Sequence, residues 1–234
     1  MIVVLTGAGI SKESGINTFR DSGGLWEQES IEDVATPGGF SRDPGKVYDF
    51  YNRRRRELAA VKPNAAHLAL ARLEDKLAEP VLVVTQNVDD LHERAGTKAL
   101  IHMHGELLKA RCRHCGAVME WLPDLGAEDA CRACGRKGAL RPHIVWFEEI
   151  PLRMDEIEQA LAKCSTFVSI GTSGDVYPAA GFVRLARAEG AKTVELNLEP
   201  SRGAGSFQEG RYGPATEVVV AWVEEVLSSG QAGK

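Results

Sequence analysis

Short apolar runs recur along the chain, separated by longer amphipathic stretches. The first run, IVVLT, begins at Ile2 and ends at a glycine, and three similar runs begin at Val81, Phe167 and Val194. A continuous apolar run of this length, bounded by glycine or polar residues, is typical of a strand buried on both faces of a parallel sheet. The apolar run EVVVAW, from Glu217, begins a further element of unassigned type.

Two stretches between these runs have helical spacing. In the segments that start at Asn64 and Met154, apolar residues recur at intervals of three and four positions. Strands that alternate with helices indicate βαβ units. We therefore predict an α/β fold with a parallel sheet and helices on both faces.

Two regions interrupt this alternation and are predicted to be insertions into the α/β core. Residues 26–62 are polar and loop-rich and then helical around a run of arginines, whereas residues 107–140 carry paired cysteines and no long apolar run. The remaining segments, 1–25, 63–106 and 141–234, are then predicted to form the main domain.

Composition and charge argue against several classes of protein. Of the 234 residues, 44% are hydrophobic and 26% are charged, as in an ordinary globular protein. The formal net charge of -5 argues against nucleic-acid binding through an overall basic surface. No segment approaches the roughly 18 consecutive apolar residues of a membrane span. The opening MIVVLTGAG lacks the basic region and cleavage site of a signal peptide, so we expect a cytoplasmic protein.

The cysteine spacing predicts a metal site. Cys112 and Cys115 form one C-x-x-C pair, and Cys131 and Cys134 form a second pair after fifteen intervening residues. This is the spacing of tetrahedral zinc sites, and four thiolates leave no open coordination position, so the zinc would be structural. The odd total of five cysteines argues against a disulfide framework. We expect Cys164 to be a small, buried apolar side chain.

Glycines follow the first predicted strand at Gly7 and Gly9. They allow a sharp turn and a close approach of the backbone to a pyrophosphate. The third glycine of the usual dinucleotide fingerprint is absent, because Lys12 stands there. On this motif alone, nucleotide binding and an ordinary strand–helix turn both remain open.

Four further motifs accompany the glycines and the cysteines: TQNVDDLHERAG (85–96), HMHGEL (102–107), GTSGDVYPAA (171–180) and NLEPS (197–201). Together they resemble the sirtuin family of NAD-dependent protein lysine deacylases over nearly the whole chain. The resemblance implies a Rossmann-like parallel sheet in a large domain that binds NAD. It also implies a small domain made of a zinc-ribbon module (107–140) and a helical module (26–62), with NAD between the two domains.

The resemblance assigns NAD-binding roles to residues that follow the predicted strands. Short polar side chains at the carboxyl ends of parallel strands are where α/β sheets bind ligands, so the residue pattern agrees with the resemblance. The NAD-binding residues implied in this way are Gly7, Ala8, Gly9, Ser11, Thr18, Phe19, Arg20, Gln86, Asn87, Asp89, Gly171, Thr172, Ser173, Asn197, Leu198, Glu199 and Ala215.

The resemblance implies that His104 is the general base, because it precedes Gly105 in the HG motif, and that Asn87 is a second catalytic residue. In the family, the acyl-amide oxygen attacks the ribose carbon as nicotinamide leaves, and the histidine then assists a ribose hydroxyl in attacking the resulting intermediate. The products are deacylated lysine, nicotinamide and O-acyl-ADP-ribose. An imidazole titrates near neutral pH and suits this proton transfer. His102 does not match the motif position.

The resemblance places the substrate peptide between residues 145–149 and 174–177, where it would add a strand through backbone hydrogen bonds. Val145 and Phe147 are the substrate-binding residues implied in the first of these segments. Many family members have glycine where this chain has Glu148, which leaves the peptide geometry and any sequence preference open.

The arginine run lies in FYNRRRREL and contains a candidate acyl-specificity site. Tyr51 and Arg54 share one helix face, and they match the YxxR motif of the sirtuin branch that removes succinyl, malonyl or glutaryl groups. In that branch they bind the distal carboxylate, which a guanidinium can meet with two parallel hydrogen bonds. Ala35 matches an alanine that widens the acyl pocket. The remaining arginines are expected to form a solvated, salt-bridged helix face: Arg53, Arg55 and Arg56.

The sequence therefore predicts an NAD-dependent lysine deacylase that removes acetyl and acidic acyl groups from protein or peptide substrates. The predicted cofactors are NAD, as co-substrate, and one structural zinc ion. We expect a monomer that binds neither membranes nor nucleic acid directly. The alternatives are an enzyme that is mainly a deacetylase, ADP-ribosyl transfer, a catalytically silent NAD sensor, and a zinc-ribbon module that binds nucleic acid through the arginines.

Overall fold

The computed structural model of the chain describes residues 1–16 and 29–231. Within these ranges the strands are β1 (Ile2–Thr6), β2 (Val81–Thr85), β3 (Leu100–His102), β4 (Gly105–Cys112), β5 (Val118–Glu120), β6 (Leu140–Ile144), β7 (Thr166–Ile170), β8 (Lys192–Asn197) and β9 (Glu209–Tyr212). The α-helices are α1 (Ile31–Val34), α2 (Pro37–Arg42), α3 (Pro44–Leu58), α4 (Ala65–Lys76), α5 (Leu91–Ala95), α6 (Met154–Leu161), α7 (Phe182–Ala188) and α8 (Ala215–Gln231). Short 3-10 helices cover Ala8–Ser14, Ala179–Gly181 and Ala204–Ser206. None of the helices in this part of the chain is both long and apolar enough to cross a membrane.

Six parallel strands form the large sheet, in the order β3-β2-β1-β7-β8-β9. The pairing of β1 with β2 and β7 aligns Thr6 with Thr85 and with Ile170, so the three strands end side by side. The strand order reverses at β1, because the chain continues to β2 on one side and later to β7 on the other. In open α/β sheets, ligands bind beyond the carboxyl ends of the strands at such a reversal.

Helices cover both faces of this sheet. Successive residues of β1 point to opposite faces, so that Val4 joins a buried cluster with Leu70 of α4, whereas Leu5 joins another cluster with Phe182 of α7. These two clusters confirm the predicted α/β fold with a parallel sheet and helices on both faces. The apolar run from Glu217 belongs to α8, which packs on the same face as α4.

A second sheet of three antiparallel strands, in the order β5-β4-β6, packs against α3. The Tyr48 hydroxyl of α3 donates a hydrogen bond to the Leu140 carbonyl at 2.7 Å. The Asn52 side chain donates to the Leu125 carbonyl at 2.9 Å and accepts the Leu125 N–H at 2.8 Å. The arginine-bearing helix and the cysteine-bearing sheet therefore share one core.

The segment before α3 is more helical than its composition indicates. Two short helices, α1 and α2, stand where polar residues and glycines predicted loops. The Thr36 hydroxyl caps α2 by accepting the Gly39 N–H at 2.9 Å, and Pro37 occupies the first turn. Helices this short depend on caps and tertiary packing, so apolar periodicity does not reveal them.

Candidate active site

The loop after β1 packs against the loop after β7 at the carboxyl edge of the large sheet. The Gly7 N–H donates to the Ile170 carbonyl and the Gly9 N–H donates to the Gly171 carbonyl, each at 2.9 Å. A Cβ atom on Gly7 or Gly9 would lie 2.7 Å from a backbone atom of Gly171, closer than side chains approach. Ala8, between them, begins the 3-10 helix. The glycines are required by this packing, and the bare backbone they leave also fits a phosphate-bearing ligand.

Asn87, Ser11 and Asp89 form a buried group that joins the loop after β2 to the loop after β1. The Asn87 Nδ2 atom lies 3.1 Å from the Gly7 carbonyl oxygen and 3.2 Å from Ser11 Oγ. The Ser11 hydroxyl donates to Asp89 Oδ2 at 3.0 Å. Burial raises the pKa of Asp89, and its hydrogen bonds oppose this effect. Folding thus brings the GAGIS and QNVD motifs into direct contact.

A histidine that the sequence analysis did not select lies beside this group. His67 is fully buried in the first turn of α4, and its Nε2 atom is 3.5 Å from Ser11 Oγ. In a capping box, its Nδ1 atom accepts the Asn64 backbone N–H at 3.4 Å. Burial lowers the pKa of His67 to about 4, so the ring is neutral at neutral pH. The signal that could have identified it is its position three residues after the capping Asn64.

His104 lies half-buried in the turn between β3 and β4, with Nδ1 3.2 Å from the Gln86 carbonyl oxygen. Because a carbonyl oxygen can only accept, this contact assigns the hydrogen to Nδ1 and leaves Nε2 as the acceptor. Burial lowers the pKa of His104, and the hydrogen bond to Gln86 opposes this effect. A neutral imidazole with its lone pair on Nε2 is the form that a general base requires.

His102 differs from His104 because both of its ring nitrogens contact acceptors. Nε2 lies 2.8 Å from Glu93 Oε1, and Nδ1 lies 3.1 Å from the Asn87 carbonyl oxygen. Burial opposes the charged form, but the hydrogen bond and negative charge of Glu93 outweigh it and raise the pKa of His102. A ring that donates from both nitrogens has no lone pair with which to take a proton. His102 therefore holds the Asn87 backbone and is poorly suited to act as the base.

The loops after β7 and β8 complete this edge of the sheet. Gln86, Thr172 and Ser173 line one cleft beside Gly174. The Asn197 side chain donates to the Thr172 carbonyl at 2.8 Å and so ties the two loops together. The polar residues predicted at three strand ends are thus neighbours in space.

The remaining residues of the predicted NAD set follow β8, begin α8 or fall outside the described ranges. Leu198 and Glu199 are exposed after β8. Ala215 is the first residue of α8. Thr18, Phe19 and Arg20 lie outside the residues that the structure describes.

Tyr51 and Arg54 both lie on α3, and each contacts an aromatic side chain. Tyr51 is buried, and its hydroxyl oxygen accepts the Nε1–H of Trp146 at 3.0 Å. The Arg54 guanidinium carbon lies 3.3 Å from the centroid of the Phe50 ring, and Nη1 donates to the Phe50 carbonyl at 2.8 Å. The buried Nε of Arg54 has no hydrogen-bond partner among the described residues. Ala35 is also buried, at the end of α1.

The other arginines of the run are not equivalent. Arg53 and Arg56 are exposed, as expected for a solvated face. Arg55 is buried: Nε and Nη2 donate to the Leu107 carbonyl at 3.2 and 3.1 Å, and Nη1 donates to Asn52 Oδ1 at 2.6 Å. The expectation of a solvated face is therefore wrong for Arg55, which joins α3 to β4.

Three successive residues after β6 contact different parts of the site. The Val145 N–H donates to the His104 carbonyl at 2.8 Å, and the Phe147 N–H donates to the Ala35 carbonyl at 2.9 Å. Between them, the Trp146 indole N–H donates to the Tyr51 hydroxyl on α3. The Phe147 side chain is 41% exposed, so this segment also presents a surface on which a peptide could lie.

Glu148 follows this segment with a φ of 75°, in the left-handed region that favours glycine. The side chain is exposed. The chain therefore keeps a glycine-like backbone conformation at the position where the sirtuin pattern has glycine, although the residue is glutamate.

The four predicted metal ligands converge beside the small sheet, where Cys112 is the last residue of β4. The Sγ atoms of Cys112, Cys115, Cys131 and Cys134 all lie within 4.8 Å of one another, and two of the pairs are 3.8 Å apart. A zinc ion about 2.3 Å from each of four tetrahedral sulfurs holds them about 3.8 Å apart. The cysteine tetrad thus fits a closed structural zinc site. Cys164 is buried in the core of the large sheet, which confirms the expectation for it.

The sequence of this chain is similar to known deacylases. A profile described as the Sir2 family matches residues 7–178. The chain is 58% identical over 234 residues to a protein of Escherichia coli (strain K12) named NAD-dependent protein deacylase, covering 99% of this chain and 84% of that protein.

Solved structures share the fold. A Sir2 homolog–NAD complex aligns with a TM-score of 0.88 and 36% identity, covering 98% of this chain and 90% of that one. A structure described as Sir2 bound to acetylated peptide aligns with a TM-score of 0.80 and 30% identity, covering 99% and 93% of the two chains. With the profile match over most of its length, the chain belongs to the Sir2 family.

Proposed function

We propose that this chain is an NAD-dependent protein lysine deacylase. The observation that carries the proposal is the placement of His104, whose Nδ1–H donates to the carbonyl of Gln86. The next residue, Asn87, donates to the Gly7 carbonyl in the loop that contains Gly7 and Gly9, here called the glycine loop. Membership of the Sir2 family and the deacylase name of the relatives support the same activity.

NAD supplies the nicotinamide leaving group and the ribose that receives the acyl group. The glycine loop, the segment from Gln86 to Asp89 and the loops after β7 and β8 would hold it. His104 would take a proton from a ribose hydroxyl at Nε2, while its bond to the Gln86 carbonyl fixes the ring. Asn87 keeps the loop after β2 against the glycine loop. Zinc would only stabilise the small sheet, because four thiolates leave no open position.

The proposed substrates carry acetyl groups or acidic acyl groups such as succinyl and malonyl. Burial lowers the pKa of Arg54 to about 10, and the negative charges of Glu57 and Glu29 oppose this effect, so the guanidinium remains a cation at neutral pH. The Nε–H of Arg54 has no partner among the described residues, and a partly buried cation of this kind is stabilised by an anionic partner. The Tyr51 hydroxyl provides a second polar group on the same helix, and the small side chain of Ala35 belongs to the same buried cluster as Tyr51.

The Arg54→Met variant tests the acyl specificity. Methionine keeps an apolar side chain beside Phe50 but removes the charge. The kcat/KM for a succinyl-lysine peptide should fall about 10- to 150-fold, as expected for the loss of a hydrogen bond to a charged group. The kcat/KM for the matched acetyl-lysine peptide should fall far less. Both peptides are assayed with and without NAD.

Arg53→Met is the matched control, because it removes an exposed arginine from the same helix. It should leave the succinyl-to-acetyl ratio unchanged within about twofold. An equal loss of both activities in Arg54→Met would contradict carboxylate recognition. Deacylation that proceeds without NAD would contradict the proposed reaction.

The proposed enzyme is a cytoplasmic monomer that does not bind nucleic acid directly. Five free cysteines in the described residues suit a reducing compartment, and the net charge of -5 does not favour nucleic-acid binding. Its proposed division is a large domain of residues 1–25, 63–106 and 141–234 and a small domain of residues 26–62 and 107–140. The buried cluster shared by α3 and the small sheet supports placing the last two segments together.

A further inference from the structure

Trp146 and Tyr51 are both buried, and the indole N–H of Trp146 donates to the hydroxyl oxygen of Tyr51 at 3.0 Å. An indole nitrogen can only donate, so the tyrosine oxygen is the acceptor in this bond. The phenolic hydrogen of Tyr51 therefore takes no part in this bond, and it has no acceptor within residues 1–16 and 29–231. It must point away from Trp146, because the indole hydrogen already occupies the space between nitrogen and oxygen.

Trp146 is itself held from several sides. Its backbone N–H donates to Glu149 Oε2 at 2.8 Å. The Arg141 guanidinium carbon lies 3.3 Å from the indole centroid, and Arg141 donates to both Glu149 carboxylate oxygens at 2.7 and 2.9 Å. The Phe40 ring packs against the indole at 5.2 Å between centroids. The direction of the indole N–H is therefore fixed by its surroundings.

The Tyr51 hydroxyl stays in its donor form. Burial raises its pKa, against the opposing effects of the Trp146 hydrogen bond and the Arg54 charge, so it is protonated at neutral pH. Arg54 follows about one turn later on the same helix. An anionic group placed beside both residues would accept from the phenol and pair with the guanidinium.

We propose that Trp146 is a positioning residue for acyl specificity. By occupying the acceptor side of the Tyr51 hydroxyl, it turns the phenolic hydrogen toward the carboxylate of an acidic acyl group. This inference rests on the proposed recognition of that carboxylate by Tyr51 and Arg54. An acetyl group has no such carboxylate, so the orientation of the hydroxyl matters for succinyl-lysine and malonyl-lysine substrates.

A double-mutant cycle tests this role. The wild type, Trp146→Phe, Tyr51→Phe and the double variant are compared by kcat/KM for matched succinyl-lysine and acetyl-lysine peptides. In the wild-type background, Trp146→Phe should lower the succinyl-to-acetyl ratio about fivefold, the size of one net hydrogen bond, mainly through a higher KM for the succinyl peptide. In the Tyr51→Phe background, where the hydroxyl is already gone, the same change should alter the ratio by less than about twofold.

The outcomes separate this inference from the proposed function. If Trp146→Phe lowers the succinyl-to-acetyl ratio equally in both backgrounds, Trp146 acts by packing alone. If it leaves the ratio unchanged in the wild-type background, Trp146 has no role in acyl specificity. Either result overturns the inference. If Tyr51→Phe and Arg54→Met lower the ratio while Trp146→Phe does not, carboxylate recognition stands and only this inference fails. If Tyr51→Phe and Arg54→Met leave the ratio unchanged, both fail.

A spectroscopic measurement covers the case in which Trp146→Phe does not fold. The indole N–H resonance of Trp146 in isotope-labelled protein should move in Tyr51→Phe, because its acceptor is lost. In the wild type it should move more on adding the succinyl-lysine peptide than on adding the acetyl-lysine peptide. If the resonance shifts neither in Tyr51→Phe nor on adding the succinyl-lysine peptide, the inference is overturned.

Discussion

Hydrogen-bond partners distinguish residues that the sequence makes look alike. His102 and His104 are two positions apart, yet the first ring contacts a carboxylate and a carbonyl, and the second contacts one carbonyl. Motif position alone favoured His104 over His102 as the predicted base. The physical reason could not be predicted, because Glu93, Asn87 and Gln86 approach these rings only in the folded chain.

The pKa of His104 predicts the acid side of the pH–activity profile. Burial lowers this pKa below its ordinary value of 6.5, and only the neutral ring can accept a proton. Activity is therefore full above the lowered pKa and is lost as the pH falls through it. We expect the acidic limb of kcat/KM for deacetylation, measured at saturating NAD, to be centred below pH 6.5. A limb centred above that pH, or one that persists unchanged in the residual activity of His104→Ala, would contradict the assignment.

At the scale of elements, helical periodicity explains most of α3. Tyr51, Arg55 and Leu58 recur at intervals of four and three residues and share the buried face. The pattern alone would have placed Arg55 inside, but the usual preference of arginine for solvent argued otherwise. What the sequence could not reveal is the acceptor, the Leu107 carbonyl, which lies where the register between β4 and β6 shifts.

Arg55 and Arg53 give a matched test of this packing. Arg55→Met should lower the free energy of unfolding by about 2 kcal/mol, because the Leu107 carbonyl and the Asn52 side chain each lose a buried donor. Arg53→Met, on the exposed face, should change it by less than about 0.5 kcal/mol. Urea unfolding followed by circular dichroism measures both variants. Equal stabilities would mean that the buried guanidinium contributes nothing net.

At the scale of the whole molecule, the four central strands of the large sheet were predictable, whereas its edge strands β3 and β9 and the small sheet were not. Buried parallel strands leave continuous apolar runs in the sequence, which is why the α/β core could be predicted. In the small sheet, β5 has three residues, and β4 pairs Gly105 with Ile144 across an intervening module. The contact between Tyr51 and Trp146 joins positions 95 residues apart, so no local pattern could predict it.

Metal content should follow the cysteine tetrad alone. Cys131→Ser should reduce bound zinc to well below one ion per chain and lower Tm by about 5–10 °C, because the small sheet loses its closed metal site. Cys164→Ala is the control: this cysteine lies in the core of the large sheet, so zinc should stay near one ion per chain. Metal analysis and calorimetry of the purified proteins provide the readouts. Full zinc content in Cys131→Ser would rule out the four-thiolate site.

Adjacent residues in the segment after β6 contact different parts of the proposed site. The Val145 N–H donates to the His104 carbonyl, the Phe147 N–H donates to the Ala35 carbonyl, and the Trp146 indole N–H donates to the Tyr51 hydroxyl. Consecutive residues of one chain segment cannot shift independently. A change that moves Trp146 or the Ala35 contact therefore also moves the backbone along which we propose that the peptide lies. We therefore expect that a substitution in this segment that alters acyl preference will also alter which peptide sequences are deacylated.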